Sequence, residues 1–255
     1  MIDNEEARSL ISRPSGQLAT SDGAARGILM RMTSGVLAVA RAQQALHDQP
    51  THQVGEHKLR EADHRQVLMW AQALALSPEE VLQRLAQACI DNAHGEALAF
   101  VLDNGAITSL VWDFDALPLA HFEWVDGLQI RRLGFKPSTA PTPRKLSIRL
   151  PRLDFLWCNR VGLTDLQLHT APALTRLFCA YNELIDLDLS AAPALTTLAC
   201  DNNQLSELKL TGLSALTTLW CQENQLPELD LSALAQLNLL VCDSNRLSAL
   251  HLPEA

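Results

Sequence analysis

Five of the six cysteines recur at a fixed interval, and this spacing constrains the fold more than any other feature of the chain. Consecutive members of the series lie 21 residues apart. They are Cys158, Cys179, Cys200, Cys221 and Cys242. A constant interval of this length is typical of stacked repeats, in which each unit contacts only its neighbours. The sequence therefore predicts a solenoid in the C-terminal part of the chain.

Leucines occupy constant positions around each of these cysteines. Aligned on the cysteine, the copies read L-x-x-L-x-C-x-x-N-x-L-x-x-L-x-L. The asparagine position holds Asn182, Asn203, Asn224 and Asn245, and Val161 replaces it in the first copy. One such unit is too small to bury its own leucines, so neighbouring coils must stack around a shared apolar interior.

This pattern resembles that of bacterial leucine-rich-repeat proteins, in the short-repeat form found in internalins and secreted effectors. The resemblance covers residues 153–255. It implies a right-handed coil whose L-x-x-L-x-C strands form a parallel sheet on the concave face. It also implies that each asparagine amide bonds the backbone at the turn after the strand, while a small apolar side chain such as a buried cysteine points inward. We therefore interpret both columns as a structural ladder.

The predicted fold class is α/β, with a helical capping domain before the solenoid. Two degenerate copies over 106–152 precede the five regular ones over 153–255, which gives seven coils. In the first copy Trp112 takes the cysteine position and Asp115 the asparagine position. A 21-residue unit leaves no room for a convex helix, so short extended segments are expected there, as at 187–190.

The capping domain is predicted to span residues 28–105 and to contain three or four helices. Residues 59–76 are rich in helix formers with apolar residues at three- and four-residue spacing. Ser77 and Pro78 are typical of a helix start, and Asn104-Gly105 is predicted to end the last helix. Such a domain would cover the first coil, whose core an uncapped end exposes. Residues 1–27 are expected to be a loosely ordered N-terminus.

The charge of the chain is acidic and unevenly placed. The net charge is −9, and residues 150–255 carry 5 basic against 12 acidic side chains. An acidic repeat repels phosphate backbones, which argues against a nucleic-acid partner and favours a protein partner with a basic surface.

The sequence lacks an apolar run long enough for a membrane span. The acidic start MIDNEEARSL lacks the features of a cleavable signal peptide. It predicts a cytoplasmic protein, or one exported without such a signal, with the host cytosol as one destination.

No cofactor, metal or catalytic residue is predicted. The cysteines lack the close pairs typical of zinc sites. His47, His52, His57 and His64 are spaced too irregularly to share one helix face, and Pro50 and Gly55 place the middle of this run in a polar loop. Cys89 is the one cysteine outside the ladder, and the helix-like run around it predicts that it packs inward. The chain is therefore predicted not to be an enzyme.

The positions that the consensus leaves free predict a binding face. Because side chains alternate along a strand, the residues between the inward leucine and cysteine are expected to point to solvent on the concave face. Aromatic and arginine anchors ringed by polar residues are typical of protein-binding hot spots. The predicted contact residues are Phe155, Trp157, Arg160, Arg176, Phe178, Tyr181, Asp201, Trp220 and Glu223.

The function expected from this face is non-enzymatic binding of a protein, as a bacterial effector or regulator. Two alternatives stay open at this stage. One is the recognition part of a ubiquitin-ligase-like effector, which the family resemblance implies. The other is a self-associating structural protein, a homodimer formed through the open edge of the last coil. The helical domain folding back over part of the aromatic row is a further possibility.

Overall fold

The structure is a computed structural model, and it describes residues 50–91, 97–119, 121–124, 126–138, 142 and 144–253. Its main sheet has eight strands within these residues, of which seven are parallel and come one from each coil. The seven predicted coils are thereby confirmed. The parallel strands of this sheet are β6 (Ala106–Asp113), β7 (Arg132–Lys136), β9 (Phe155–Trp157), β11 (Arg176–Phe178), β12 (Thr197–Ala199), β13 (Thr218–Trp220) and β15 (Leu239–Val241).

The register of the sheet follows the repeat. Leu156 aligns with Leu177, then Leu198, Leu219 and Leu240 in successive strands. The convex side carries short extended segments, as predicted. β8 (Lys145–Arg149) pairs in parallel with β10 (Asp165–Thr170), and β14 (Glu228–Asp230) pairs with β16 (Ala249–His251).

The interior is a continuous apolar core along the solenoid. The leucines and the cysteines of the middle coils are fully buried, with Leu177, Cys179, Leu198 and Cys200 all at 0% exposure. This burial agrees with the stacking that the repeat requires, since each coil covers the apolar edge of the next.

The asparagine side chains form hydrogen bonds with backbone groups at the turn after each strand. Asn203 Nδ2 donates to the carbonyl oxygens of Cys179, Cys200 and Asp201 at 3.1, 3.0 and 3.2 Å. Its Oδ1 accepts from Leu184 N at 3.0 Å. Asn182, Asn224 and Asn245 repeat this pattern. The amide therefore joins each coil to the one before it, and the ladder interpretation is confirmed.

The asparagine position of the first degenerate coil behaves differently. Asp115 is exposed and accepts a hydrogen bond from Ser138 Oγ at 2.5 Å. A carboxylate has no N–H to offer to backbone carbonyls, so it does not replace the buried amide.

The cap begins with two helices at the predicted places. α1 spans Glu61–Leu74, within the predicted 59–76. α2 spans Pro78–Gln87, where Ser77 Oγ accepts from Glu80 N and the Glu80 carboxylate accepts from Ser77 N. This capping box confirms the predicted helix start.

The rest of the described cap is β structure. β1 (Thr51–Val54) and β2 (His57–Arg60) form an antiparallel hairpin, as do β3 (Cys89–Asp91) and β4 (Ala97–Ala99). β5 (Val101–Asp103) lies antiparallel to β6. The prediction that Asn104-Gly105 ends a helix is wrong. Both residues have positive φ, 48° and 78°, and they form the tight turn between β5 and β6. Such a turn is the usual role of an Asn-Gly pair.

A buried carboxylate fastens the cap to the first coil. Asp63, on α1, is fully buried, and its Oδ1 accepts from Ile107 N on β6 at 3.0 Å. Arg60 N donates to Gly105 O at 2.8 Å next to this contact. Apolar residues of α1 and α2 belong to the same buried core as the coils. The predicted helices upstream of residue 50, the N-terminus 1–27 and His47 lie outside the described residues.

Candidate functional site on the concave face

The concave face presents three rows of side chains, which we name by their place in each coil. The central row holds the residue before each cysteine: Trp157, Phe178, Ala199, Trp220 and Val241. The upstream row lies two residues earlier: Phe155, Arg176, Thr197, Thr218 and Leu239. The turn row follows the cysteine by two: Arg160, Tyr181, Asn202, Glu223 and Ser244. All five turn-row residues have φ between 53° and 58°.

The hairpin β3–β4 covers the N-terminal part of this face. Its Ile90 and Leu98 form a second apolar cluster with Val111, Phe155 and Phe178 of the sheet. Gly134, next to Trp157 in register, makes room for the hairpin. A Cβ placed there would lie 3.0 Å from both Ile90 Cδ1 and Leu98 Cδ1.

The prediction that the central and upstream rows face solvent is therefore wrong for three residues, because Ala199 is 5% exposed and two aromatic side chains are buried as well. Phe155 is 1% exposed and Phe178 is 4% exposed. Strand alternation does point both aromatic side chains to the concave side. They are buried there because they belong to the apolar cluster that includes the β3–β4 hairpin. The sequence signal for this cover was Gly134, the smallest residue at the central-row position, together with Ile90 and Leu98, which sequence reasoning did not single out.

The C-terminal part of the face is more accessible. Trp157, Trp220 and Val241 are half-buried, while Leu239 and Tyr181 are 44% and 46% exposed. Glu223 is exposed on the same side. Apolar and aromatic side chains therefore reach the surface beside the carboxylate of Glu223.

Two arginines of the face stack on the ring of Phe155. The guanidinium carbons of Arg132 and Arg176 lie 5.2 and 4.8 Å from its centroid. Both side chains line a cavity of about 800 Å³ together with Arg131, which pairs with Asp154 at 2.8 Å. Further along, Arg160 lies over the Tyr181 ring at 4.1 Å. Cation–π contacts hold these basic side chains in place on the sheet surface.

Asp201, the remaining predicted contact residue, is buried to 7% exposure. Burial raises the pKa of its carboxyl group, partly offset by a hydrogen bond from its own backbone amide. Phe178 and Trp220 lie in register on the strands that flank the strand before Asp201, and Phe178 shares with Phe155 the buried cluster of the hairpin.

The ladder thiols are unsuited to act as nucleophiles. Burial raises the pKa of Cys158, Cys179 and Cys200, and that of Cys221 to about 12, so these thiols stay protonated. All six cysteines are free thiols. Cys89 lies exposed on β3, which corrects the prediction of an inward-facing position on a helix.

The histidine region is a hairpin next to a helix. His52 lies on β1 and His57 begins β2, so the prediction of a loop is wrong for both. The rings of His52 and His64 stack at 4.3 Å, and His52 pairs with Glu61. Among the described residues, no group of three or more His, Cys, Asp or Glu side chains is placed to hold a metal ion. Within the same residues, no helix is long and apolar enough to cross a bilayer.

Two solved structures of bacterial proteins are similar to the chain. One is the functional domain of InlJ from Listeria monocytogenes, described as including a cysteine ladder, with 29% identity and a TM-score of 0.46. The other is YopM from Yersinia enterocolitica WA-314, with 22% identity and a TM-score of 0.27. The matches cover 58% and 53% of this chain, and 33% and 38% of those chains. No protein-family model matches the chain, and no curated protein is significantly similar to it.

Proposed function

We propose that this protein is a non-enzymatic interaction module that binds a protein partner on the concave face of its solenoid. The observation that carries the proposal is the accessible part of the central row. Trp157 and Trp220 are half-buried there, with exposed Tyr181 and Leu239 beside them. Large aromatic side chains at a surface supply much contact area with few rotatable bonds, which is why they dominate binding hot spots.

The charge at the C-terminal end of the face favours a partner with a basic surface. Glu223 and Asp243 are exposed at the same end of the sheet as Trp220. Residues 150–255 carry 5 basic against 12 acidic side chains, so the surrounding field also attracts positive charge. A role as a bacterial effector or regulator is consistent with such binding and is part of the proposal.

The test uses the full chain with Trp157→Ala and Trp220→Ala combined. The tagged protein is exposed to cell extract, captured proteins are identified, and each is purified and titrated against both forms. We expect the dissociation constant of the true partner to rise by about a hundredfold, as for the loss of two aromatic hot spots. Folding should persist, because neither indole fills the solenoid interior.

The matched control is Ile185→Ala. Ile185 is 64% exposed and lies outside the three concave rows, so its loss removes a comparable exposed apolar group elsewhere. The control should bind as the wild type does. Equal binding by the double variant, with a cooperative unfolding transition, would refute the assignment of the concave face.

A further inference from the structure

The cavity of about 800 Å³ lies at the N-terminal end of the concave face, beside the β3–β4 hairpin. β4 contributes the small side chains of Ala97 and Ala99 to its lining. The coils contribute three arginines, Arg131 and Arg132 from the second coil and Arg176 from the fourth. Ala97, Ala99 and Arg131 are exposed, so the cavity is accessible from solvent.

The lining of this cavity is basic although the chain is acidic. Its charged side chains are the three arginines and two aspartates, Asp103 and Asp154. Residues 150–255 carry only 5 basic against 12 acidic side chains, and Arg176 is one of those five. The positive excess at this one place therefore contrasts with the negative field of the surrounding repeat.

Two of the arginines are held in place by the sheet. Arg132, Phe155 and Arg176 are in register on three neighbouring strands, β7, β9 and β11. The two guanidinium carbons lie 5.2 and 4.8 Å from the centroid of the Phe155 ring, which is 1% exposed. Such a contact uses the face of the guanidinium group, while its five N–H donors lie in its plane. The stacking therefore orders both cationic groups before anything binds, which lowers the entropic cost of binding.

The neighbouring carboxylates leave the positive excess in place. Arg131 Nη2 lies 2.8 Å from Asp154 Oδ2, and the Arg131 side chain is 66% exposed. An ion pair exposed to this extent contributes little, so Arg131 can also contact a bound anion. Asp103 is exposed, and its Oδ1 accepts from Asn104 Nδ2 at 3.0 Å. Three guanidinium groups against two carboxylates give the lining one positive charge in excess.

An oxyanion matches the chemistry of this lining. Guanidinium groups bind carboxylate and phosphate oxygens through paired N–H donors, in a geometry that an ammonium group does not offer. A nucleic acid presents a continuous row of phosphates, which the acidic repeat around the cavity repels. A single acidic side chain needs only the cavity itself. The lining therefore fits an acidic side chain of a protein better than a nucleic acid.

We infer that this cavity is the subsite for an acidic side chain of the bound protein, either a carboxylate or a phosphorylated hydroxyl, bound by Arg132 and Arg176. The inference rests on the proposed function, because it assigns one contact of the partner to the concave face. Glu223 and Asp243 are exposed at the C-terminal end of the same face. Opposite charges at the two ends therefore fix the direction in which the partner lies along the solenoid.

Peptide libraries test this subsite without knowledge of the partner. Short random peptides are synthesised as three libraries that differ only in one fixed central residue, which is glutamate, phosphoserine or glutamine. Each library carries a rhodamine label, and its apparent dissociation constant for the full chain is measured by fluorescence anisotropy. We expect the glutamate library, the phosphoserine library or both to bind about tenfold more tightly than the glutamine library. The acidic library that shows this preference identifies the source of the oxyanion.

Substitutions of the arginines then locate the preference. Arg132→Gln combined with Arg176→Gln should abolish it. Lys209→Gln combined with Arg246→Gln removes the same charge from exposed positions outside the cavity, and this control should keep the preference. Arg132→Lys combined with Arg176→Lys keeps the charge and the alkyl chains beside Phe155 but loses the paired donors. It should reduce the preference by about threefold, and it decides the test if the glutamine variant does not unfold cooperatively.

Equal binding of the acidic and glutamine libraries to the wild type would overturn the subsite, and so would a preference that persists in both arginine variants. The proposed function would stand in either case, because the titration of the Trp157→Ala/Trp220→Ala protein against the captured partner decides it. A preference that depends on the arginines, together with normal partner binding by that tryptophan variant, would support the anion subsite and overturn the proposed function alone.

Discussion

At the scale of single residues, the two ladders of the solenoid contribute in different ways. The cysteines fill space, and the thiols of Cys179 and Cys200 lie at 0% exposure among leucines. The asparagines satisfy backbone groups that the sheet leaves without partners, and each one serves two coils. Substituting an asparagine should therefore cost more than its small volume suggests, because buried carbonyls then lack donors.

Asn203→Ala provides the measurement of this contribution. The substitution removes donors from the carbonyls of Cys179 and Cys200 and an acceptor from Leu184 N. We expect the free energy of unfolding in urea to fall by about 3 kcal/mol. Gln204→Ala, at an exposed neighbouring position, is the control and should stay within about 0.5 kcal/mol of the wild type. A loss below about 1 kcal/mol for Asn203→Ala would mean that water replaces the amide.

At the scale of elements, Asp63 links helix α1 to strand β6. Burial raises the pKa of its carboxyl group to about 6, above the value of about 3.9 in an unfolded chain. The folded protein therefore binds more protons than the unfolded chain between these two pH values. Its stability is favoured at low pH, declines as pH rises from about 4 to 6, and stays at the lower level above that window.

Asp63→Asn should remove this contribution. The amide oxygen can still accept from Ile107 N, while the titrating group is lost. Chemical denaturation at a series of pH values should show that the free energy of unfolding of the wild type declines between about pH 4 and 6. In the variant this dependence on pH should be shallower, by an amount that corresponds to about one bound proton. The same slope in both proteins would show that Asp63 does not titrate in this range.

The elements also show how far the sequence predicts this structure. The coils were predictable because each leucine, cysteine and asparagine recurs in the same local environment. The β3–β4 hairpin was not, because two three-residue strands carry too little periodicity to be distinguished from a helix. The burial of Phe155 depends on that hairpin, so it was equally inaccessible to reasoning from strand alternation.

At the scale of the whole molecule, the two ends of the solenoid differ. The first coil is covered by α1, α2 and the β1–β2 hairpin within one continuous core. In the last coil Leu237, Leu240 and Leu247 are only partly buried, and Leu250 and Leu252 are 44% and 62% exposed. β15 and β16 are each the last strand of their sheets within the described residues. Open strand edges with apolar side chains are sites of pairing between chains.

Leu252→Lys tests whether this end mediates self-association. We expect the wild type to show an apparent mass that increases with concentration in light scattering. The lysine variant should show less association, because charge at an exposed edge disfavours strand pairing. Ile185→Lys adds the same charge at a residue of similar exposure, 64%, and should associate as the wild type does. A mass independent of concentration in all three proteins would exclude association through this edge.

The side-chain amides that join each coil to its predecessor have a mechanical consequence. Under tension applied at the C-terminal end, a coil can detach only after the hydrogen bonds from its asparagine to the preceding coil break together. The regular part of the chain would then lengthen in equal steps, each releasing one 21-residue unit, or roughly 70 Å of extended backbone. Such a solenoid would unfold coil by coil from its C-terminal end, and the coils next to the cap would unfold last.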